Sequence, residues 1–130
     1  MEYKSGQIVK TIAYQYVGTP VMYHFGVILV DDQTGEVFVL HNSLDKGTIQ
    51  ETLEVFLQER EIAEVLPSSL ENLTNEQILQ RFENCDGDFD YLAFNCEHFI
   101  DCMEGTTPKS EQLVVYALIG IAIFLIIKKT

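Results

Sequence analysis

Stretches of β-branched and aromatic residues, separated by short polar turns, fill the first third of the chain, a pattern typical of strands joined by hairpins. The pattern predicts a first strand in "GQIVKTIAY" (Gly6–Tyr14), a second in "VMYHFGVILV" (Val21–Val30) and a third in "VFVLHNS" (Val37–Ser43). Between the last two, "DDQTGE" supplies turn residues. We therefore expect the second and third strands to pair as an antiparallel hairpin.

Helical spacing replaces this alternation in the middle of the chain. "TIQETLEVFLQER" fits both a helical stripe and a strand; we expect a short helix there, followed by a strand at "REIAEVL". "LTNEQILQRFEN" predicts a helix more clearly, because Thr74 and Gln77 can form a capping box at its start. Its apolar face consists of Ile78, Leu79 and Phe82.

A last helix is predicted in "NCEHFIDCMEG", after a loop in "CDGDFDYLAF". Asn95 is a favourable N-cap residue, Glu97 suits the first turn, and Gly105 suits the position after the last turn. Cys96 is then the first residue of the helix.

The end of the chain is apolar on every side. "LVVYALIGIAIFLII" (Leu113–Ile127) would span about 22 Å as a helix, against roughly 30 Å of hydrocarbon in a bilayer. Lys128 and Lys129 can extend its reach to the head groups. We expect a membrane anchor, with a buried or oligomerisation helix as the alternative. The chain then divides into a globular domain (1–105), a polar linker (106–112), an anchor helix (113–127) and a tail (128–130).

The cysteine number and the N-terminus bear on the compartment. Three cysteines are an odd number, and "MEYKSGQIVK" lacks the apolar region of a secretory signal. We expect a reducing compartment, no disulfide framework, and a single-pass C-terminal anchor that leaves the globular domain in the cytosol.

The charge of the chain is strongly asymmetric. All 20 Asp and Glu residues precede Leu113, whereas only six of the eight Lys and Arg residues do, which leaves a formal excess of 14 negative charges there. Such a field repels nucleic acid and gives no attraction to anionic lipid. Nucleic acid is therefore discounted as a partner.

Cys96 is the candidate nucleophile among the three cysteines. A thiol at the start of a helix lies at the positive end of the helix dipole, which is expected to lower its pKa. Cys102 would lie near the negative end and is interpreted as a small core residue. Cys85 lies in the acidic loop "NCDGD", whose field opposes a thiolate, and is interpreted as structural or incidental.

The base for this thiol must come from another element. His98 follows Cys96 by two residues, and such residues do not face each other on a helix, so His98 is interpreted as structural. His24, near the start of the second strand, and His41, near the end of the third, are expected at the same end of the hairpin. One of these two would accept the thiol proton and the other would orient it.

A metal site is the competing interpretation of the same residues. His98 and Cys102 share a helix face, and Cys85 or His41 could add ligands. Structural zinc sites usually contain closely spaced ligand pairs such as C-x-x-C, which this chain lacks. We therefore expect no metal and no other cofactor.

The segments that carry these residues resemble the lecithin:retinol acyltransferase-like family, a circularly permuted branch of the papain-like, NlpC-type thiol hydrolases. The resemblance rests on "NCEHF" after a "Y-L-x-F" run, on the strands "YHFGVILV" and "VFVLHN", and on the opening "SGQIVK". It covers about residues 5–105, which is most of the predicted globular domain.

The resemblance implies an α+β fold in which a small antiparallel sheet packs on the cysteine-bearing helix, in a permuted papain-like arrangement. By position it implies Cys96 as nucleophile, His24 as general base and His41 as the residue that orients the base. Family members often transfer or hydrolyse phospholipid acyl groups through a cysteine thioester, and several carry a C-terminal membrane helix. The implied function is a membrane-anchored acyltransferase or phospholipase A-type hydrolase, with the bilayer and a phospholipid as its partners.

Two other classes of function stay open. One is a cysteine peptidase or amidase, including an isopeptidase; a related branch of similar fold cleaves isopeptide bonds but typically has "NCN" where this chain has "NCE". The other is a membrane adaptor without enzymatic activity.

Overall fold

The computed structural model describes residues 2–16, 19–43, 46–58, 60–85 and 96–105. These residues form an α+β fold with a small antiparallel sheet, which confirms the expected class. The strands are β1 (Ile8–Tyr16), β2 (Thr19–Val30), β3 (Val37–Ser43), β4 (Gly47–Thr52) and β5 (Ile62–Leu66). The helices are α1 (Leu53–Phe56), α2 (Asn75–Asn84) and α3 (Cys96–Glu104), with a short 3-10 helix over Ser69–Asn72.

In the described part of the chain, the strand order is β4-β3-β2-β1-β5, and every neighbouring pair is antiparallel. β2 and β3 form the predicted hairpin, in which Gly26 pairs with His41. At its turn, the carboxylate of Asp31 accepts hydrogen bonds from the backbone N–H groups of Gln33 and Thr34 at 2.8 and 2.9 Å. This Asx turn places the two strands side by side.

The sheet has a separate hydrophobic core on each face. Residues of β2, β3, α2 and α3 form the larger core, whose members include Val27, Leu29, Leu40, Ile78, Phe99 and Met103. The smaller core consists of Val9, Ile28, Val39 and Phe56. Because successive strand residues point to opposite faces, α3 covers one face of the sheet and α1 covers the other. The expected packing of the sheet on the cysteine-bearing helix is confirmed.

The segment predicted as a short helix contains a strand as well. β4 precedes α1 and pairs with β3 from Ser43 to Phe38. The side chain of Thr52 then caps α1 by accepting a hydrogen bond from the N–H of Val55 at 3.2 Å. Both patterns fitted the sequence, and the open edge of β3 decided in favour of a strand because it satisfies the backbone groups of β4. The strand predicted at "REIAEVL" is confirmed as β5.

Helix α2 has the predicted start and the predicted buried face. The side chain of Thr74 accepts a hydrogen bond from the N–H of Gln77 at 3.2 Å, and the side chain of Gln77 accepts one from the N–H of Thr74 at 2.9 Å. Ile78 is fully buried, while Leu79 and Phe82 pack at the margin of the larger core.

Helix α3 begins at Cys96, as predicted, and ends before Gly105, which adopts a φ of 76°. Such a left-handed residue is the usual end of a helix, and glycine takes that conformation without steric cost. The predicted N-cap, Asn95, lies outside the described residues.

Cys85 and Cys102 form a disulfide, with their Cα atoms 5.9 Å apart. The expectation of no disulfide framework was wrong, and so was the interpretation of Cys102 as a small core residue only. The structural interpretation of Cys85 agrees with the bond. Cys85 is the buried C-cap of α2, and α2 packs against α3. This helix contact brings together two thiols that no local pattern connects. Cys96 is left as the free cysteine.

Among the described residues, no helix has the length and apolar character needed to cross a membrane. The predicted linker (106–112), anchor helix (113–127) and tail (128–130) all lie outside the described residues.

Candidate active site

The β2–β3 hairpin brings His24 and His41 into direct contact. Gly26 pairs with His41, so His24 lies two residues away from that pair, on the same face of the sheet. Nε2 of His24 is 2.9 Å from Nδ1 of His41, and the two rings are nearly perpendicular at 89°. The predicted proximity of the two histidines is confirmed.

Gly26 allows this close approach of the two strands. A Cβ atom on Gly26 would collide with Cγ1 of Val39 and would lie only 3.4 Å from Cβ of His41. A larger residue would therefore push apart the strand segments that carry the histidines.

Phe56 of α1 covers the histidine pair. Its ring centroid is 4.9 Å from that of His41 and 5.9 Å from that of His24. Arg60 lies over the outer face of Phe56, with the guanidinium carbon 4.7 Å from the ring centroid, and Nη1 donates a hydrogen bond to the carbonyl oxygen of Phe56 at 2.9 Å. This layer keeps water from His41, which is 1% exposed.

Burial holds both imidazoles in their neutral form. Loss of hydration is the largest cause that lowers the pKa of His24 from 6.5 to about 3, and repulsion from His41 and Arg60 adds to it. Burial also lowers the pKa of His41, although a hydrogen bond to Glu51 opposes the shift. Both rings are therefore neutral at neutral pH, which is the state in which a histidine can accept a proton.

Cys96 lies buried at the start of α3, beside the strand that carries His24. Its thiol donates a hydrogen bond to the carbonyl oxygen of Tyr23, with an Sγ–O distance of 3.6 Å. Helix α3 packs on the face of the sheet opposite the histidines. Its first residue, Cys96, nevertheless contacts the backbone of β2 at Tyr23, the residue that precedes His24. The hydrogen bond to Tyr23 places the thiol beside the backbone that carries His24. Nucleophile–base contacts in unliganded sites are often long and tighten when substrate binds.

Glu51 was not among the residues predicted from the sequence. Its Oε2 lies 2.9 Å from Nε2 of His41, and its Oε1 lies 3.2 Å from Nζ of Lys46. Burial acts to raise the pKa of Glu51, but the hydrogen bonds from His41 and Lys46 outweigh it, so the pKa lies below its usual range. The available signal was the strand alternation in "GTIQET", which places Glu51 on the same face as Ile49, the residue opposite His41.

The remaining sequence candidates belong to helices α2 and α3 and not to the strands that carry the histidine pair. His98 is buried within α3. In the part of the chain that the structure describes, no group of three or more His, Cys, Asp or Glu side chains is arranged to hold a metal ion. A polar pocket of about 320 Å³ opens on the Glu51 side of the pair, with Lys46 and Arg60 in its wall.

The described residues thus combine a buried thiol at a helix start with a neutral histidine that contacts a second histidine, which in turn contacts a carboxylate. Thiol nucleophile–base sites use groups of these kinds. No protein-family model, curated protein or solved structure matches this chain.

Proposed function

We propose that this protein is a cysteine-dependent acyltransferase or phospholipase A-type hydrolase with the permuted papain-like arrangement of the lecithin:retinol acyltransferase-like family. In this proposal Cys96 is the nucleophile, His24 the general base and His41 the residue that orients the base. Two contacts support this proposal. His24 and His41 share a hydrogen bond of 2.9 Å, and the carbonyl oxygen of Tyr23, the residue before His24, accepts a hydrogen bond from the Cys96 thiol. His41 is buried, and a buried polar side chain is costly unless it is hydrogen-bonded, as His41 is to His24 and Glu51. Buried, hydrogen-bonded titratable groups cluster at functional sites.

The reaction begins when Sγ of Cys96 attacks the carbonyl carbon of a phospholipid ester while His24 takes the thiol proton. The ester C–O bond then breaks, and His24 returns the proton to the departing lysophospholipid oxygen. The acyl group is left as a thioester on Cys96. Water, or the hydroxyl or amine of an acceptor, attacks the thioester and passes its proton to His24. The thiolate leaves and is reprotonated.

The lowered pKa of His24 fits proton transfer during the attack. At rest, the neutral imidazole of His24 avoids a buried positive charge. Once negative charge develops on Sγ, the imidazolium gains an opposite charge nearby and becomes favourable.

In this proposal, the predicted anchor over residues 113–127 attaches the protein to the membrane. It would hold the site at the bilayer and raise the effective concentration of phospholipid without a basic surface patch. The anchor would thus give access to lipid substrates even though the chain, with a net charge of −12, is not attracted to anionic lipid.

The test is to trap the thioester. The full chain is incubated with phosphatidylcholine vesicles, and its intact mass is measured with Cys96→Ser as the matched control. We expect one acyl adduct that hydroxylamine removes, together with released lysophospholipid, and neither with Cys96→Ser. If iodoacetamide alkylates Cys96 but the protein forms no acyl thioester with phosphatidylcholine and releases no lysophospholipid, the lipid proposal is wrong. Labelling of Cys96 by amide substrates alone would indicate the amidase alternative.

A further inference from the structure

Glu51 lies at the end of a line of hydrogen bonds that starts at His24. The line runs from Nε2 of His24 to Nδ1 of His41, and from Nε2 of His41 to Oε2 of Glu51, at 2.9 Å in both steps. The other oxygen of Glu51 accepts from Lys46. The side chain of Glu51 is only 10% exposed, whereas that of Lys46 is 53% exposed, so the line ends at the protein surface.

The proton positions along this line follow from the carboxylate. A carboxylate only accepts hydrogen bonds, so Nε2 of His41 carries the proton in its bond with Glu51. A neutral imidazole has a single N–H, and Nδ1 of His41 must then be the acceptor in the bond with His24. Nε2 of His24 is therefore the donor, and the unprotonated nitrogen of His24 is Nδ1.

Hydrogen bonds that run in this direction, from His24 through His41 to Glu51, require two neutral histidines and one carboxylate. The burial and contacts of these side chains favour the same charge states. Burial acts to raise the pKa of Glu51, but the bonds from His41 and Lys46 hold it below its usual range, so Glu51 is a carboxylate. Burial keeps both histidines neutral, and the nearby Arg60 adds to this effect. One arrangement of protons satisfies all of these groups at neutral pH.

We propose that Glu51 is a positioning residue that sets the tautomer of His41 and, through it, of His24, so that Nδ1 of His24 is the proton acceptor of the site. Its part in catalysis rests on the proposed function of Cys96; the tautomer assignment does not. Without the carboxylate, either nitrogen of His24 can carry the proton, and molecules with the proton on Nδ1 cannot accept the thiol proton there.

Lys46 makes the assignment testable with an isosteric change. In Glu51→Gln, the ammonium group of Lys46 still requires an acceptor, so the amide oxygen faces Lys46 and the amide NH2 faces His41. The line then reverses: Nε2 of His41 accepts, Nδ1 of His41 donates, and the proton of His24 moves to Nδ1. In the double variant Lys46→Met with Glu51→Gln, the amide oxygen can turn back to His41 and restore the original direction.

The first measurement is the tautomer itself, from nitrogen-15 shifts and long-range couplings of the histidine rings in the full chain. We expect Nε2–H forms of His24 and His41 in the wild type, Nδ1–H forms in Glu51→Gln, and Nε2–H forms again in the double variant. Glu54→Gln removes an equal charge from an exposed position in α1 and should leave the tautomers unchanged. Nδ1–H forms in the wild type overturn the assignment, whether or not any variant folds. Unchanged tautomers in folded Glu51→Gln would show that Glu51 does not set them and would overturn its positioning role.

The second measurement is the rate of Cys96 alkylation and of thioester formation. Both should fall on the order of 10²-fold in Glu51→Gln and recover in the double variant, because a wrong tautomer withholds the base. If the wild type has the expected tautomers but never forms the thioester, the proposed function fails and the assignment stands. If the thioester forms equally fast in wild type and Glu51→Gln, the positioning role is wrong.

Discussion

Single residues at the site owe their charge states to burial, which acts on the two histidines, and to hydrogen bonds, which act on Glu51. His24, His41 and Glu51 could all be charged in water, yet the folded chain favours two neutral imidazoles and one carboxylate. Each preference links the protonation of that residue to folding, because the unfolded chain has no such surroundings. The hydrogen-bonded group should therefore make the stability of the protein depend on pH.

We expect the protein to lose stability as the pH falls below about 6.5. The folded pKa of His24, about 3, lies below its unfolded value, so the unfolded chain binds more protons in between. His41 acts in the same direction, and Glu51 adds a loss at more acidic pH, where its carboxylate is protonated. The measurement is the urea midpoint at about pH 7.5 and about pH 5. In His24→Gln, the difference between the urea midpoints at the two pH values should be smaller. Equal midpoints at the two pH values in the wild type would contradict the prediction.

At the scale of elements, the candidate site depends on two contacts between neighbours in space. The first is the close pairing of β2 and β3 at Gly26, which brings the histidines together. The second is the packing of α3 on β2 and on α2, which brings Cys96 to Tyr23 and Cys102 to Cys85. Disturbing either contact should change the site without touching a reacting group.

Gly26→Ala should destabilise the protein by about 1–3 kcal/mol and slow alkylation of Cys96, because the added Cβ collides with Cγ1 of Val39. Chemical denaturation gives the loss of stability. In a Val39→Ala background, the same change should cost less, since the colliding methyl group is gone. Additive costs in this double-mutant cycle would show that another contact is responsible.

The disulfide should leave one reactive thiol in the unreduced, denatured chain, and that thiol should be Cys96. Breaking the Cys85–Cys102 bond should lower the free energy of unfolding by about 3 kcal/mol, because the bond closes a loop of 17 residues. Thiol counting by mass and denaturation of Cys85→Ser with Cys102→Ser provide the two measurements. Three reactive thiols without reductant would contradict the bond.

The molecule as a whole combines an acidic globular part with an apolar C-terminal segment. The charge opposes electrostatic binding to anionic membranes, so membrane contact would have to come from the segment over residues 113–127. Apolar insertion and electrostatic attraction differ in their response to salt, which screens only the second.

The full chain should co-sediment with neutral phosphatidylcholine vesicles and stay bound in about 1 M salt. At that ionic strength the Debye length is roughly 3 Å, so electrostatic attraction is screened. A variant that ends at Gln112 should remain in the supernatant, since it lacks the apolar segment. Release of the full chain by salt, or retention of the shortened variant, would contradict the predicted anchor.

Features whose signal lies within one segment of the chain could be predicted from the sequence. Alternation and the Asx turn specified the β2–β3 hairpin and with it the meeting of His24 and His41, while the caps at Thr74 and Gly105 specified helix ends. Tertiary structure decided the rest: the open edge of β3 made a strand of β4 and brought Glu51 to His41, and helix packing joined Cys85 to Cys102. These outcomes depend on partners distant along the chain, where local periodicity carries no information.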